Sequence, residues 1–476
     1  MPEATGPPAK LSPARQMAYR ILLRADLGRE FAVDLLQRDD VSRLQDADRR
    51  LTTELVMGVL RWRGVLDFEI ERLSGKAPTY FDPEILAVLR LGVYQIQRLQ
   101  RVPKPAAVNQ AVELAKAARK RSAAGLVNAV LRKCEPRAPS SREPQGAGPK
   151  STAGLTDDQR LAHAVPPWLL GCWERHFGQE TARRLARSSL ETPPTTLRVA
   201  EGEAAREAMQ QELAQAGVQT RTGEYASAAL VVERGDVRSS EAWRQGRVVI
   251  QDEASQLAGA LVAPQPGERV LDLCAAPGIK AAQLISGLGK GTLVACDRSA
   301  RRMRTMTKLL GASTTGPQPG GVRVEFVQLD AARPLPFAIQ FDRVLLDAPC
   351  SGTGTLARNP EIKWRLGAGD IVRLAQAQAA MLRSGLELLK PGGRLVYATC
   401  SLEPEENEQV VEQVLAEPPA DQPAGRPRAR LATRQQLVRE FPRLAALFDD
   451  RGYFRTLPGV HPTDGFFAAV CSSDRL

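Results

Sequence analysis

The sequence predicts a multi-domain protein in which an all-α helical bundle precedes a small α+β region and a larger α/β domain. Two patterns indicate this fold class: apolar residues recur at helical spacing in the first third, and strands alternate with helical stretches in the last half. The length of 476 residues fits about three domains at ~150 residues each. We predict domains at 1–134, 157–244 and 245–476, with a flexible linker at 135–156 that is rich in Pro, Gly and Ser.

The composition excludes several protein classes. Apolar residues make up 43% of the chain and charged residues 25%, as in ordinary globular proteins. The sequence has no run of ~18 apolar residues and no apolar core of a secretory signal near its start. Its seven cysteines form neither a CxxC pair nor a Cys/His cluster. We therefore expect a cytoplasmic protein without membrane association, disulfide framework or metal.

Amphipathic helices account for the N-terminal region. Apolar residues such as Leu55, Val59 and Trp62 share one helical stripe. A further helix is expected after Asp82, which can cap it, with Pro83 at its first position. We predict almost no strand content before residue 135.

The net charge of +11 is concentrated near the N-terminus, where residues 1–150 contain 26 basic and 17 acidic residues. A basic patch accompanies a single acidic residue, Glu113; its members are Arg101, Lys104, Lys116, Arg119, Lys120, Arg121, Arg132 and Lys133. Such a patch attracts phosphate backbones, but it is equally typical of a solvated helix face. Charge alone does not name a ligand.

The C-terminal region predicts a parallel, doubly wound sheet. Its strands are rich in β-branched residues and leucine, and they are separated by helical stretches; we place them at 269–273, 292–297, 322–330, 341–347 and 393–400. Ligands bind at the carboxyl ends of the strands in such sheets. The stretch 417–430, rich in Pro and Arg, is expected to be a surface loop.

Two carboxylates and a turn of small residues follow the first strands. Asp272 ends the first strand before Ala275–Gly278, and Asp297 ends the second. Small residues let a nucleotide-like ligand approach the backbone, and an acidic residue in the position of Asp297 can bind ribose hydroxyls. The alternative to a ligand site is a purely structural tight turn in which the acidic residue caps the strand end. The segment lacks GxGxxG, which disfavours a dinucleotide cofactor.

Two cysteines stand apart from the other five. Cys350 follows Asp347 at the end of the fourth predicted strand, and Cys400 ends the fifth, so we expect both to face one crevice. Each lies in a polar loop. The remaining cysteines are interpreted as core residues, because Cys is among the most buried residue types; they are Cys134, Cys172, Cys274, Cys296 and Cys471.

These motifs carry a resemblance to a known family. LDLCAAPG, DAPCSGTG and YATCS with PEENE resemble the motifs of RNA cytosine-C5 methyltransferases that use S-adenosylmethionine, and the resemblance spans 245–476. VNQAVELAK and GLVNAVLRKC resemble the NusB-like RNA-binding domain. The combination resembles the bacterial RsmB/Sun family, which methylates 16S ribosomal RNA. It implies a Rossmann-like catalytic domain, a 16S RNA partner, no DNA partner and a monomer.

The resemblance also implies roles for individual residues. Cys400 would be the nucleophile that adds to carbon 6 of cytosine, Asp347 would bind the N3 edge, and Cys350 would assist release of the adduct. The residues implied in binding S-adenosylmethionine are Cys274, Ala275, Ala276, Pro277, Gly278, Ile279, Lys280, Asp297, Arg302, Asp330 and Asp347. Within this set, Lys280 belongs to the methionine end, Asp297 to the ribose and Asp330 to the adenine. For Arg302, a surface charge is an equal alternative.

Departures from the family pattern leave other functions open. Ile279 stands where the family usually has glycine, so we expect strain if that position needs a positive φ. Leu329 and Ala200 also differ from the usual Gly and Asn. One alternative is the same chemistry on tRNA or another ribosomal RNA. Another is a catalytically inactive NusB-like RNA-binding factor of the antitermination type.

Overall fold

A computed structural model describes residues 11–26, 28, 30–136, 155–311, 321–417 and 429–473. Most of the predicted linker 135–156 and of the predicted loop 417–430 lies outside the described residues. The chain divides into two compact units: Met1–Glu191 with Leu356–Arg365, and Thr192–Thr355 with Leu366–Leu476. Among the helices of the described residues, none has the length and apolar character to cross a bilayer.

The described α-helices are α1 (Pro13–Asp26), α2 (Ala32–Leu36), α3 (Asp39–Ser42), α4 (Asp46–Ser74), α5 (Pro83–Arg98), α6 (Lys104–Ala117), α7 (Ala124–Lys133), α8 (Asp157–Ala162), α9 (Pro167–Ser188), α10 (Arg206–Gln215), α11 (Glu241–Arg244), α12 (Glu253–Ala260), α13 (Ile279–Leu288), α14 (Ala300–Gly311), α15 (Ile362–Arg365), α16 (Ala368–Glu387), α17 (Glu408–Ala416) and α18 (Arg434–Glu440). The strands are β1 (Thr196–Val199), β2 (Gln219–Thr222), β3 (Ala229–Arg234), β4 (Val248–Ile250), β5 (Arg269–Asp272), β6 (Gly291–Asp297), β7 (Val322–Gln328), β8 (Phe341–Asp347), β9 (Leu389–Thr399), β10 (Ala429–Leu431), β11 (Phe454–Thr456) and β12 (Phe466–Ser473).

The N-terminal bundle is helical, as predicted, and the described residues before 135 contain no strand. Residues of the predicted apolar stripe, including Leu55 and Val59, are buried in its core. Pro83 occupies the first position of α5, but the Asp82 side chain does not cap the helix. Instead, its carboxylate accepts a hydrogen bond from Lys120 Nζ at 2.7 Å, because an ammonium is a stronger partner than the helix N–H groups.

The segment Leu356–Arg365 packs inside the first unit and is anchored by Lys363. This side chain is completely buried. Its ammonium donates to three main-chain oxygens, those of Arg61 (2.9 Å), Ala164 (3.0 Å) and Ser189 (3.2 Å). These hydrogen bonds tie the segment to α4 and to the residues that follow α8 and α9. The sequence analysis assigned no role to this lysine.

A four-stranded antiparallel sheet of order β2-β3-β1-β4 forms the α+β region. Helix α10 follows β1 and covers the sheet with Met209 and Leu213, which are buried with Leu197 and Leu230. The predicted succession of strand and helix in this region is therefore confirmed.

The large sheet has eight strands in the order β10-β12-β9-β8-β5-β6-β7, with β11 paired to β12. Strands β5 to β9 are parallel, and each predicted strand is present within four residues of its predicted ends. The expectation of a parallel sheet is wrong at one edge, where β12 runs antiparallel to β9. Strand β12 has a continuous run of apolar residues because it is almost completely buried.

The strand order places a ligand crevice at β5. Strands β6 and β7 lie on one side of β5, and β8 and β9 lie on the other. The chain therefore crosses from one side of β5 to the other between β7 and β8. Such a reversal opens a crevice beyond the carboxyl ends of the central strands. The segments after β5, β6, β8 and β9 all follow parallel strands and therefore leave the sheet at this edge.

Candidate active site

The two singled-out cysteines meet beyond the ends of β8 and β9. These strands are parallel neighbours, with Asp347 opposite Ala398. The Sγ atoms of Cys350 and Cys400 lie 3.3 Å apart, and both side chains are partly exposed. Parallel pairing brings the two loops to the same edge, as the sequence analysis expected.

Close backbone packing holds the loop after Cys350. Gly354 donates its N–H to the Cys400 carbonyl at 2.9 Å, and its own carbonyl accepts from Gly465 N at 2.8 Å. A Cβ on Gly354 would lie only 2.2 Å from the Gly465 oxygen. Only glycine fits this contact, which explains the small residues of SGTG and the glycine of HPTDG.

Lys280 lies against Asp347, with its Nζ 2.7 Å from Oδ2. Burial alone would lower the pKa of Lys280, but the charge and hydrogen bond of Asp347, with the charges of Cys400 and Asp272, raise it. The lysine is therefore held as an ammonium beside the two thiols. This position joins Lys280 to Asp347, the predicted base-binding carboxylate, and the implied contact of Lys280 with the methionine end of the cofactor stays a prediction.

Asp272 is a completely buried carboxyl group with one unsatisfied oxygen. Its Oδ1 accepts from Cys274 N at 3.3 Å, whereas Oδ2 has no partner among the described residues. Burial, followed by the charge of Asp347, raises the pKa of Asp272 to about 8. Sequence analysis noted Asp272 but did not include it in the candidate set. Its place at the strand end, directly before the turn of small residues, was the available signal.

The turn Cys274–Lys280 joins β5 to α13. Gly278 has a φ of +108°, and Ile279 is the first residue of the helix. Among the described residues, the positive φ values outside glycine fall on Arg119 and Ala263. The condition for strain at Ile279 is therefore not met, because the left-handed conformation falls on the preceding glycine.

Arg302 braces this turn against Asp297. The buried Asp297 accepts from Ser299 N at 2.8 Å, and Arg302 Nη1 lies 3.6 Å from its Oδ2. The same guanidinium donates to the Ala276 carbonyl. The arginine therefore connects the ends of β5 and β6, although its side chain is exposed on α14 as in the surface-charge alternative.

Asp330 follows β7 at the same edge of the sheet. Its Oδ1 accepts from Ala332 N at 3.1 Å, and Arg298 lies 3.9 Å from its Oδ2. The carboxylates Asp272, Asp297 and Asp330 thus lie at the carboxyl ends of the neighbouring strands β5, β6 and β7.

The other cysteines divide into two groups. Cys134, Cys296 and Cys471 are buried, as the core interpretation predicts, and burial raises the pKa of Cys134 and Cys471 to about 12. Cys172 and Cys274 are partly exposed, but Cys274 still packs against the hydrophobic core, so the core interpretation is wrong only for Cys172. Cys172 lies on α9, where its sulfur accepts a hydrogen bond from Arg175.

Three family models match this chain in succession. The NusB family matches residues 12–136, the ferredoxin-like domain of RsmF/B-like methyltransferases matches 165–238, and 16S rRNA methyltransferase RsmB/F matches 259–472. These matches cover the helical bundle, the α+β region and the domain that contains both cysteines.

Individual relatives agree over the whole chain. A probable ribosomal RNA small subunit methyltransferase B of Bacillus subtilis is 32% identical, covering 97% of this chain and 99% of its own. The crystal structure of PH0851 has a TM-score of 0.73 at 25% identity and covers 96% of this chain and 98% of its own. NSun6 from Pyrococcus horikoshii, solved with SFG, has a TM-score of 0.55 at 20% identity, with 66% and 100% covered. The chain belongs to the ribosomal RNA small subunit methyltransferase B family and is an RNA methyltransferase.

Proposed function

We propose that this RNA methyltransferase transfers a methyl group from S-adenosylmethionine to carbon 5 of a cytosine in 16S ribosomal RNA, through a covalent adduct on Cys400. The observation that carries the proposal is the pair of thiols 3.3 Å apart, with the Lys280–Asp347 ion pair beside them. Carbon 5 of cytosine is a weak nucleophile, and addition of a thiolate at carbon 6 activates it.

Cys400 acts as the nucleophile. Its thiolate forms a bond to carbon 6, and the electron pair of the C5–C6 double bond becomes available at carbon 5. S-Adenosylmethionine, when bound, supplies the electrophilic methyl group that carbon 5 accepts. A base then removes the proton from carbon 5, the C5–C6 double bond re-forms, and the Cys400 sulfur departs.

Cys350 assists that departure as a thiol. Its hydrogen bond with Cys400, its burial and the charges of Cys400 and Glu406 raise the pKa of Cys350. A protonated Cys350 can donate its S–H to the departing Cys400 sulfur at 3.3 Å. The raised pKa therefore supports a division of roles between the two cysteines.

Asp347 and Lys280 face the base together. A carboxylate at Asp347 accepts a hydrogen bond from the cytosine edge, and the ammonium of Lys280 compensates negative charge that develops on the base. The flipped base has to leave its stack to reach this crevice.

The described residues fit S-adenosylmethionine. The unsatisfied Oδ2 of Asp272 is a natural partner for the ammonium of the methionine part, and Asp297 suits the ribose hydroxyls. The turn before α13 needs glycine at Gly278, because its φ is +108° and a Cβ there would lie 3.0 Å from Met306. The structure of NSun6 with SFG, an analogue of S-adenosylmethionine, adds support from a related fold.

The NusB-like domain offers an RNA-binding face. A cavity of about 620 Å³ lies between α6 and α7; its polar lining residues are Lys104, Asn109, Asn128 and Arg132. Within the described residues, the ion pairs of the basic patch involve Lys104, Lys116 and Lys120, whereas its arginines Arg101, Arg119, Arg121 and Arg132 have no acidic partner. Unpaired arginines beside amide side chains favour RNA phosphates and bases over a merely solvated face.

Methyl transfer from radiolabelled S-adenosylmethionine to purified 16S RNA, 23S RNA and tRNA tests the proposal. We expect label in 16S RNA, which disappears with Cys400→Ala and persists with Cys172→Ala, a partly exposed cysteine of the other unit. Label only in tRNA or 23S RNA would keep the chemistry and refute the target. No label in any RNA from folded protein would favour the inactive RNA-binding factor.

A further inference from the structure

A buried carboxylate lies directly behind the two cysteines. Glu406 belongs to the PEENE segment, ends the 3₁₀ turn Pro404–Glu406 and is completely buried. Ser351, which follows Cys350, donates to it through its main-chain N at 2.9 Å and through its hydroxyl. Ser401, which follows Cys400, donates through its hydroxyl at 2.5 Å. One carboxylate therefore holds the residues next to both thiols.

Further hydrogen bonds close the network around Glu406. The two serine hydroxyls lie 3.0 Å from each other. Gln378 Nε2, from α16, donates to Glu406 Oε1 at 2.9 Å and to the Pro349 carbonyl at 2.9 Å, so it also supports the loop before Cys350. Each carboxylate oxygen thus accepts two hydrogen bonds.

The partners of Glu406 are all neutral. Throughout the described part of the chain, no lysine, arginine or histidine forms an ion pair with it. Burying a carboxylate without a counter-charge is costly, and an apolar side chain could fill such a space without that cost. A carboxylate that is buried without a counter-charge is therefore expected at a functional site.

Asn407 secures the strand end that bears Cys400. Its Nδ2 donates to the Ser401 carbonyl at 2.9 Å, and its Oδ1 accepts from Thr399 Oγ1 at 2.5 Å. The residues on both sides of Cys400 are thereby tied to the PEENE segment. Glu406 is the member of this segment that also reaches the Cys350 loop.

We propose that Glu406 is a positioning residue that joins the Cys350 and Cys400 loops, so that Cys350 stays within reach of the Cys400 sulfur when the RNA adduct is released. The inference rests on the proposed function for its catalytic consequence, but the geometry that it assigns to Glu406 can be measured without RNA. Loss of the carboxylate lets the loops separate and slows release more than adduct formation.

The RNA-free experiment measures how readily the two thiols form a disulfide. In buffers of glutathione and its disulfide, two thiols and one glutathione disulfide yield one protein disulfide and two glutathiones. The oxidised fraction, determined by alkylation and mass spectrometry of the full chain, gives the effective concentration of Cys350 toward Cys400. We expect Glu406→Ala to lower it at least tenfold and Glu406→Gln to lower it less, because the amide retains part of the hydrogen bonding.

Glu405→Gln is the matched control, since this neighbouring side chain is partly exposed and belongs to the same turn. In this control, the effective concentration of Cys350 toward Cys400 should equal that in the unsubstituted protein. A wild-type effective concentration in both Glu406 variants would overturn the proposal, and so would a failure of the unsubstituted protein to oxidise. If thermal unfolding shows that Glu406→Ala does not fold, the effective concentration measured in the isosteric Glu406→Gln tests the proposal instead.

The RNA experiment follows one turnover with a substrate RNA and resolves adduct formation from release. We expect Glu406→Gln to slow release about tenfold while adduct formation changes less than threefold. Equal slowing of both steps would indicate a merely structural role and overturn the inference. No adduct in the unsubstituted enzyme would refute the proposed function. The glutathione equilibrium would still test whether Glu406 holds the Cys350 and Cys400 loops together.

Discussion

The sulfur of Cys350 lies 3.3 Å from the sulfur of Cys400, although fifty positions of sequence separate them. Strands β8 and β9 bring the two loops to one sheet edge, and the hydrogen bond from Gly354 N to the Cys400 carbonyl fixes the loops together. At this distance, one thiol can donate a proton to the other. The proposed roles of Cys400 as nucleophile and Cys350 as helper both depend on this proximity.

Cys350→Ala is expected to accumulate a covalent protein–RNA adduct. Cys400 can still add to carbon 6 in this variant, but its departure lacks the neighbouring S–H donor. A band of retarded mobility on a denaturing gel, absent with Cys350→Ala/Cys400→Ala, would reveal the adduct. Normal turnover without an adduct would remove Cys350 from the release step.

Lys280→Met distinguishes two roles of this lysine, one in the reaction beside Asp347 and one in binding the methionine end of the cofactor. Because its ammonium lies 2.7 Å from Asp347, we expect kcat to fall about 100-fold, as when one preorganised charge is removed. The Kd for S-adenosylmethionine, measured by calorimetry, should change less than threefold. A large loss of cofactor affinity with little change in kcat would instead support the contact with the methionine end.

Asp272 should make the unliganded protein less stable as the pH rises. Its pKa is raised to about 8 in the folded state, against about 3.9 in an unfolded chain, so the folded state binds its proton more tightly. This contribution to stability is fully present below about pH 4 and is lost as the pH rises to about 8, at up to about 1.4 kcal/mol per pH unit.

Denaturant unfolding of unsubstituted protein and Asp272→Asn across this pH range measures the effect. The asparagine variant cannot ionise, so its free energy of unfolding should decline less with pH. Identical pH profiles of the two proteins would contradict the raised pKa. Added S-adenosylmethionine should stabilise the unsubstituted protein more than the variant, because the carboxylate is the proposed partner of its ammonium.

Lys363→Met should destabilise the first unit by about 3 kcal/mol. The substitution removes hydrogen bonds to three buried main-chain oxygens, and each such hydrogen bond contributes about 1 kcal/mol. Chemical denaturation of the full chain tests this, with Lys116→Met, an exposed lysine of α6, as the control. A loss no greater than that of the control would mean that water satisfies these carbonyls.

The double substitution Lys104→Glu/Arg132→Glu should weaken RNA binding at least tenfold. The two side chains line the cavity between α6 and α7, where reversed charges repel phosphates. Titration with labelled 16S RNA at several salt concentrations should also show a shallower salt dependence. The Kd for S-adenosylmethionine serves as the control, and unchanged RNA affinity would place the RNA-binding face elsewhere.

Several features were predictable because they depend on short-range patterns. Helical spacing of apolar residues predicted the N-terminal bundle, and runs of β-branched residues predicted strands β5 to β9. The antiparallel β12 was missed, since a fully buried apolar run does not reveal its direction or its neighbour. Strain at Ile279 could only be stated as a condition, because the sequence does not show on which residue of a turn the positive φ falls.

The sequence by itself determined the order of domains, the strand-end motifs and the choice of Cys350 and Cys400 as candidates, since all of these depend on residues close together in the chain. Only the tertiary structure decided the pairing of Lys280 with Asp347, the orphaned oxygen of Asp272 and the carboxylate of Glu406 shared by two serines. These relationships join residues from different strands and helices. The physical reason is that strand order and burial, which set such distances and desolvate such groups, arise only when the sheet has formed.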